Sequence, residues 1–120
     1  MNSEIIRKMV LATLSGTLPF AEIVGGLISS GVEYYFVDYV SLQFSFSSGE
    51  GSVVTLPLNY EGLPSVHLNF DGAALRAAIF DSQNNHQNFR QFSQRAVEAG
   101  VQGYYAFFTR KKGGIFWTPR

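Results

Sequence analysis

Apolar residues recur at Ile5, Ile6, Met9, Val10 and Leu14, while Glu4, Arg7 and Lys8 fall mostly elsewhere. That spacing predicts an amphipathic helix over about residues 4–14, capped by Ser3 and broken at Gly16. A second helix is predicted from Pro19 to about Ser30, with Phe20, Ile23, Val24, Leu27 and Ile28 on one face and Gly31 as the left-handed residue beyond its end. The period then drops to two. Strands are predicted over 32–40 and 42–46, the second with Leu42, Phe44 and Phe46 on one face and Gln43, Ser45 and Ser47 on the other. A turn over 47–52 leads into a returning strand over 53–58, which Pro57 places at an edge. Alternation resumes over 65–70, predicting a strand with Val66, Leu68 and Phe70 inward and His67 and Asn69 outward.

Asp71 is placed to cap a helix over about 73–81, and a further helix is predicted over about 86–99 with Phe89, Phe92, Ala96 and Val97 as its stripe. Gly100 closes it. Strands over about 101–109 and 114–118 follow, joined by a tight turn at Gly113-Gly114. The predicted architecture is a single α+β domain over 1–120: an antiparallel sheet of about five strands with helices mainly on one face.

A shift of 69 residues lays part of the chain on itself: Phe20 meets Phe89, Gly31 meets Gly100, Val32 meets Val101 and Tyr35 meets Tyr104. Each copy reads helix, glycine stop, aromatic strand, turn, second strand. A duplication and one structural solution used twice both account for these four identities.

Composition changes the picture in three ways. Charged residues make up 15% of the chain, against about 25% in ordinary soluble domains. Aromatics reach the same 15%, so the surface retains apolar area that suits a subunit interface ahead of a ligand groove. There is no cysteine, which removes disulfides, thiolate metal sites and cysteine nucleophiles and fits a reducing cytoplasm. Residues 1–71 carry two basic groups against seven acids, a balance of −5, and residues 72–120 carry seven against two, a balance of +5. Such opposed halves suit self-association or intramolecular pairing. Arg7 and Lys8 before "MVLATL" invite a signal-peptide reading, but Glu4, Pro19 and Glu22 interrupt it, and no apolar run is long enough to span a membrane.

Candidate chemistry is sparse. Asp38 lies in an aromatic strand on the face of Tyr34 and Phe36. It is either a pocket acid, with Tyr35 and His67 as ligand-binding companions, or a strand-end carboxylate satisfied by backbone N–H groups or an arginine. His67 and His86 have none of the close spacing of metal motifs, and no nucleophile elbow or phosphate loop is present, so neither a catalytic residue nor a metal or cofactor is assigned. Arg110, Lys111 and Lys112, flanked by Phe107, Phe108, Phe116 and Trp117, offer the best case for single-stranded nucleic acid. The alternative is a solubilising hairpin tip that guards apolar strands.

The stretch Phe20…Leu27…Gly31-Val32-x-x-Tyr35-x-Val37-Asp38 resembles the signature of a small family of uncharacterised enterobacterial and prophage-associated proteins, the YdfO/YbcV-like domains. The stretch Phe92…Ala99-Gly100-Val101…Tyr104 is similar to that family's C-terminal segment. After the first strand the chain departs from the family pattern, with "LQFSFSS" where a Thr-Tyr-Tyr-like run is expected. The resemblance implies a bacterial or prophage accessory protein and assigns no site residue. Taken together, we read a non-enzymatic, cytoplasmic interaction protein that forms a homo-oligomer, with a dimer as the simplest form. A small-ligand domain with a groove near Tyr35, Asp38 and His67 is the alternative, and nucleic-acid binding through residues 110–112 comes third.

Overall fold

The computed structural model describes residues 1–108 and 115–119. Helix α1, Ser3–Ser15, begins one residue earlier than predicted because Asn2, not Ser3, is its cap, with Asn2 Oδ1 accepting from the Ile5 N–H at 3.2 Å. Gly16, at φ 70°, ends it. Helix α2, Phe20–Ser29, follows Pro19, which stands just outside the first turn in extended backbone. The two helices meet at Gly26, where an added Cβ would lie 2.5 Å from Met9 Sδ.

Gly31, at φ 90°, turns the chain into β1, Tyr34–Asp38. Strand β2, Gln43–Ser47, and β3, Val53–Pro57, complete a meander. Leu42, predicted to point inward with Phe44, instead sits in the β1–β2 turn at φ 58° and is exposed. Helix α3, Gly72–Asn84, starts at the predicted Asp71 cap and runs one turn beyond the predicted end. Helix α4, Phe89–Glu98, has a reciprocal capping box between Asn88 and Gln91. Strands β4, Gly103–Phe108, and β5, Ile115–Pro119, follow. The strands lie in the order β3-β2-β1-β4-β5, each antiparallel to its neighbours.

Residues 65–70 do not form the predicted strand. The segment runs along the end of α4, where the His67 and Asp71 N–H groups donate to the Val97 and Ala99 carbonyls at 2.8 Å each. Both carbonyls lie at the C-terminal end of α4, where the Val97 carbonyl also takes the Gly100 N–H, so the loop's N–H groups go to the helix end instead of a sheet edge. Leu68 and Phe70, predicted to be core residues, are 98% and 63% exposed.

One sheet face carries Tyr35, Val37, Phe44, Phe46, Leu56, Tyr104 and Ala106, all buried in one core with Ile6 and Val10 of α1, Leu27 of α2, Ala78 of α3 and Phe92, Ala96 and Val97 of α4. Aromatic contacts tie the layers together, with Phe44 5.5 Å from Phe89 and Phe92 edge-on to Tyr104 at 5.6 Å. No helix among the described residues is long and apolar enough to cross a membrane.

Candidate functional site

The face of the sheet turned away from this core is divided. On β2 and β3 it carries Gln43 and Thr55 in open positions and a half-exposed Ser45, with Val53 exposed at its far end. On β1 and β4 it is aromatic. Tyr34 pairs directly with Phe107 across the strands, and Phe36 pairs with Tyr105. The rings stand 5.4 and 4.5 Å apart, and Tyr105 stacks on Phe107 at 5.9 Å. Cross-strand aromatic pairs stabilise a sheet from within. They do not hide these four rings, because Tyr34, Phe36 and Tyr105 are only partly buried and Phe107 is 39% exposed.

Gly103 makes room for this cluster. A Cβ there would stand 2.5 Å from the Val37 carbonyl oxygen and 2.7 Å from Cζ of Phe36. The Phe36 ring therefore lies over the glycine, and any side chain at 103 would lift it. The surroundings are acidic: Asp38 ends the same face of β1, and Glu33 and Glu50 rim a depression beside Tyr34 and Phe107.

The sequence-predicted candidates are dispersed. Asp38 caps the β1–β2 turn, its Oδ1 accepting from the Val40 N–H at 2.9 Å and the Ser41 N–H at 3.0 Å. Of its two sequence readings, strand-end satisfaction by backbone groups is the one these bonds supply. Tyr35 faces the other side of the sheet, among the core residues, so it and Asp38 do not share a groove. His67 is exposed in the loop along α4, and its Nδ1 accepts from the Asn69 N–H at 3.1 Å. Arg110, Lys111 and Lys112 lie outside the described residues. Among the described residues no group of three His, Asp or Glu side chains is gathered to hold a metal ion.

Sequence reasoning missed a buried hydroxyl pair. Ser93 is fully buried within the apolar stripe of α4, and its Oγ meets the Tyr39 hydroxyl at 2.8 Å. The available signal was a serine between Phe92 and Ala96 with a tyrosine at the end of the first strand. Burial pushes the Tyr35, Tyr39 and Tyr104 phenols well above their ordinary range, so all three remain neutral O–H groups at physiological pH.

No protein-family model matches the chain, and no curated protein matches it.

Proposed function

We propose that this protein is a non-enzymatic interaction protein that self-associates through the open face of β1 and β4. The observation that carries the proposal is the ring cluster Tyr34, Phe36, Tyr105 and Phe107 on a sheet face that no described element covers. An antiparallel sheet tolerates water on one face when that face is polar, as at Gln43 and Thr55 here. The aromatic half calls for a partner, and an apolar core rimmed by charge is the anatomy of a protein interface. Asp38, Glu33 and Glu50 around the rings oppose phosphate, which favours protein over nucleic acid. The basic run Arg110–Lys112 in the chain is opposite in charge to Glu50 beside the rings, which suits contact between copies.

The 69-residue repeat belongs to the same proposal. The shift sends Phe36 to Tyr105, and these two residues pair with each other. It sends the pair Tyr35–Ala106 to Tyr104–Val37, which is also a pair in the register. We read two related halves meeting about an approximate two-fold axis at Phe36–Tyr105. The resemblance of the α2–β1 stretch supports a prophage-associated accessory role, and the absence of cysteine fits a cytoplasmic setting.

Sedimentation equilibrium over a wide concentration range tests the reading, with a reversible dimer expected. Phe107→Ser removes the most exposed ring of the cluster from both copies; at about 2 kcal/mol of buried apolar surface each, the dimer weakens roughly a thousandfold, and the lost cross-strand contacts with Tyr34 and Tyr105 lower the melting temperature modestly. A wild-type monomer at every concentration would sink the proposal.

A further inference from the structure

On the covered side, the two helix pairs leave a groove between α2 and the α3–α4 connection. Its volume is about 770 Å³, within the range of small-molecule sites. Ile23, Val24 and Leu27 form one wall, Phe89 and Phe92 the other, and Tyr35, Phe44, Phe46 and Tyr104 line it from the sheet. Among the described residues that line it there is no Asp, Glu, Lys or Arg.

Its polar lining is mostly spoken for. Thr13 Oγ1 donates to the Met9 carbonyl, and Gln87 Nε2 donates to Ser82 Oγ and the Ala78 carbonyl. Gln87 Oε1 accepts from Arg95, and Asn88 Oδ1 accepts from the Gln91 N–H. Tyr35 is different. It is 7% exposed, it lines this groove, and all its described contacts are ring contacts, to Phe46 and Phe108. Its hydroxyl has no hydrogen-bond partner among the described residues, and it is not one of the sealed polar atoms. A hydroxyl that deep in an apolar lining loses free energy unless something enters the groove to meet it.

We propose that the groove binds a small, uncharged, largely apolar molecule carrying one carbonyl-type oxygen, which accepts a hydrogen bond from the Tyr35 hydroxyl. Among the described lining residues an anion would find no Lys or Arg, and a cation no carboxylate. The neutral O–H also suits an oxygen acceptor, since its proton is held through the whole working pH range. This site is separate from the self-association face, on the other side of the sheet.

Nile red fluorescence, with displacement by 2-octanone and by octane, tests the proposal on the full chain. Saturable binding is expected, with the ketone displacing the dye at lower concentration than the alkane. Tyr35→Phe keeps the ring and should weaken 2-octanone roughly three- to tenfold while leaving octane unchanged. Gly25 lines the groove, and a Cβ there meets nothing within 4 Å. Gly25→Leu therefore starts its side chain at the groove lining with an unhindered Cβ, and it should abolish dye binding in a chain that still melts cooperatively. The proposal is overturned by non-saturable binding, by a Gly25→Leu protein that binds as wild type, or by a ketone preference that survives Tyr35→Phe. Loss of dye binding on Phe107→Ser would place the dye on the open sheet face and overturn it equally.

Discussion

Gly31 and Gly100 end α2 and α4 with the same pair of hydrogen bonds. Gly31 N–H donates to Ile28 and Val32 N–H to Leu27, while Gly100 N–H donates to Val97 and Val101 N–H to Ala96, all at 3.0–3.1 Å. Both glycines hold positive φ, at 90° and 82°. Their surroundings differ. A Cβ on Gly31 would meet only the Met1 side chain and Cα, at 3.5 Å and 3.8 Å, whereas one on Gly100 would stand 2.5 Å from the Asn69 carbonyl oxygen. Gly31→Ala should therefore cost only the left-handed strain, about 1 kcal/mol. Gly100→Ala must also push back the backbone of the 65–70 loop and should cost about 2–3 kcal/mol. Urea denaturation of the two variants measures the difference, and equal losses would show that the loop gives way freely. Both stops were legible in the sequence because the left-handed cap has a compositional signature. The backbone pressed against Gly100 was not, since it comes from a segment read as a strand. Asp38 shows the same limit: its residue type was visible, but its turn-capping role depends on where β1 stops.

Among the elements, alternation identified Phe44 and Phe46 as core and misread residues 65–70. The difference lies in pairing. β2 has β1 and β3 beside it, whereas the 65–70 loop donates its N–H groups to the end of α4. Period-two patterning reports a chain with two kinds of side and does not report hydrogen-bond partners. It also left unresolved which aromatic face of β1 is covered, because Tyr34 and Tyr35 are adjacent and alike. Helices α3 and α4 are joined by a polar clasp in which Arg95 binds Asp81 and Gln87, and Asn85 also donates to Asp81. These hydrogen bonds, Arg95's first, lower the Asp81 pKa from its ordinary 3.8. A carboxylate with a depressed folded pKa adds stability above its unfolded pKa and loses it as pH falls through the folded one. The stability difference between wild type and Asp81→Asn should therefore hold near neutral pH and vanish below the ordinary carboxylate range. Thermal melts of the two proteins from pH 7 to pH 2 check this, and a gap that persists at the acid end would discard the clasp. With both side chains 35% exposed, high salt should narrow the neutral-pH gap.

At the scale of the whole molecule, the apolar excess visible in composition has two destinations. Part lies on the open aromatic face and part lines the groove beneath α2, with the sheet between them. Composition announced the excess but not its division, because the division depends on which side of β1 the helices cover. The pairing of β1 with β4 places one of the early strands beside one of the last, residues 34–38 against 103–108. During synthesis, α1, α2 and the β1–β3 meander can form while the inner edge of β1 still has no neighbour. That edge belongs to the sequence "YYFVD", with its unpaired backbone groups flanked by aromatic rings, the profile of a strand that pairs with strangers. A nascent chain carries this exposure until most of its length has been made and β4 arrives to close it. The same geometry makes C-terminal truncation costly out of proportion to its length: losing β4 removes a central strand and leaves the first half of the protein with an aggregation-prone margin.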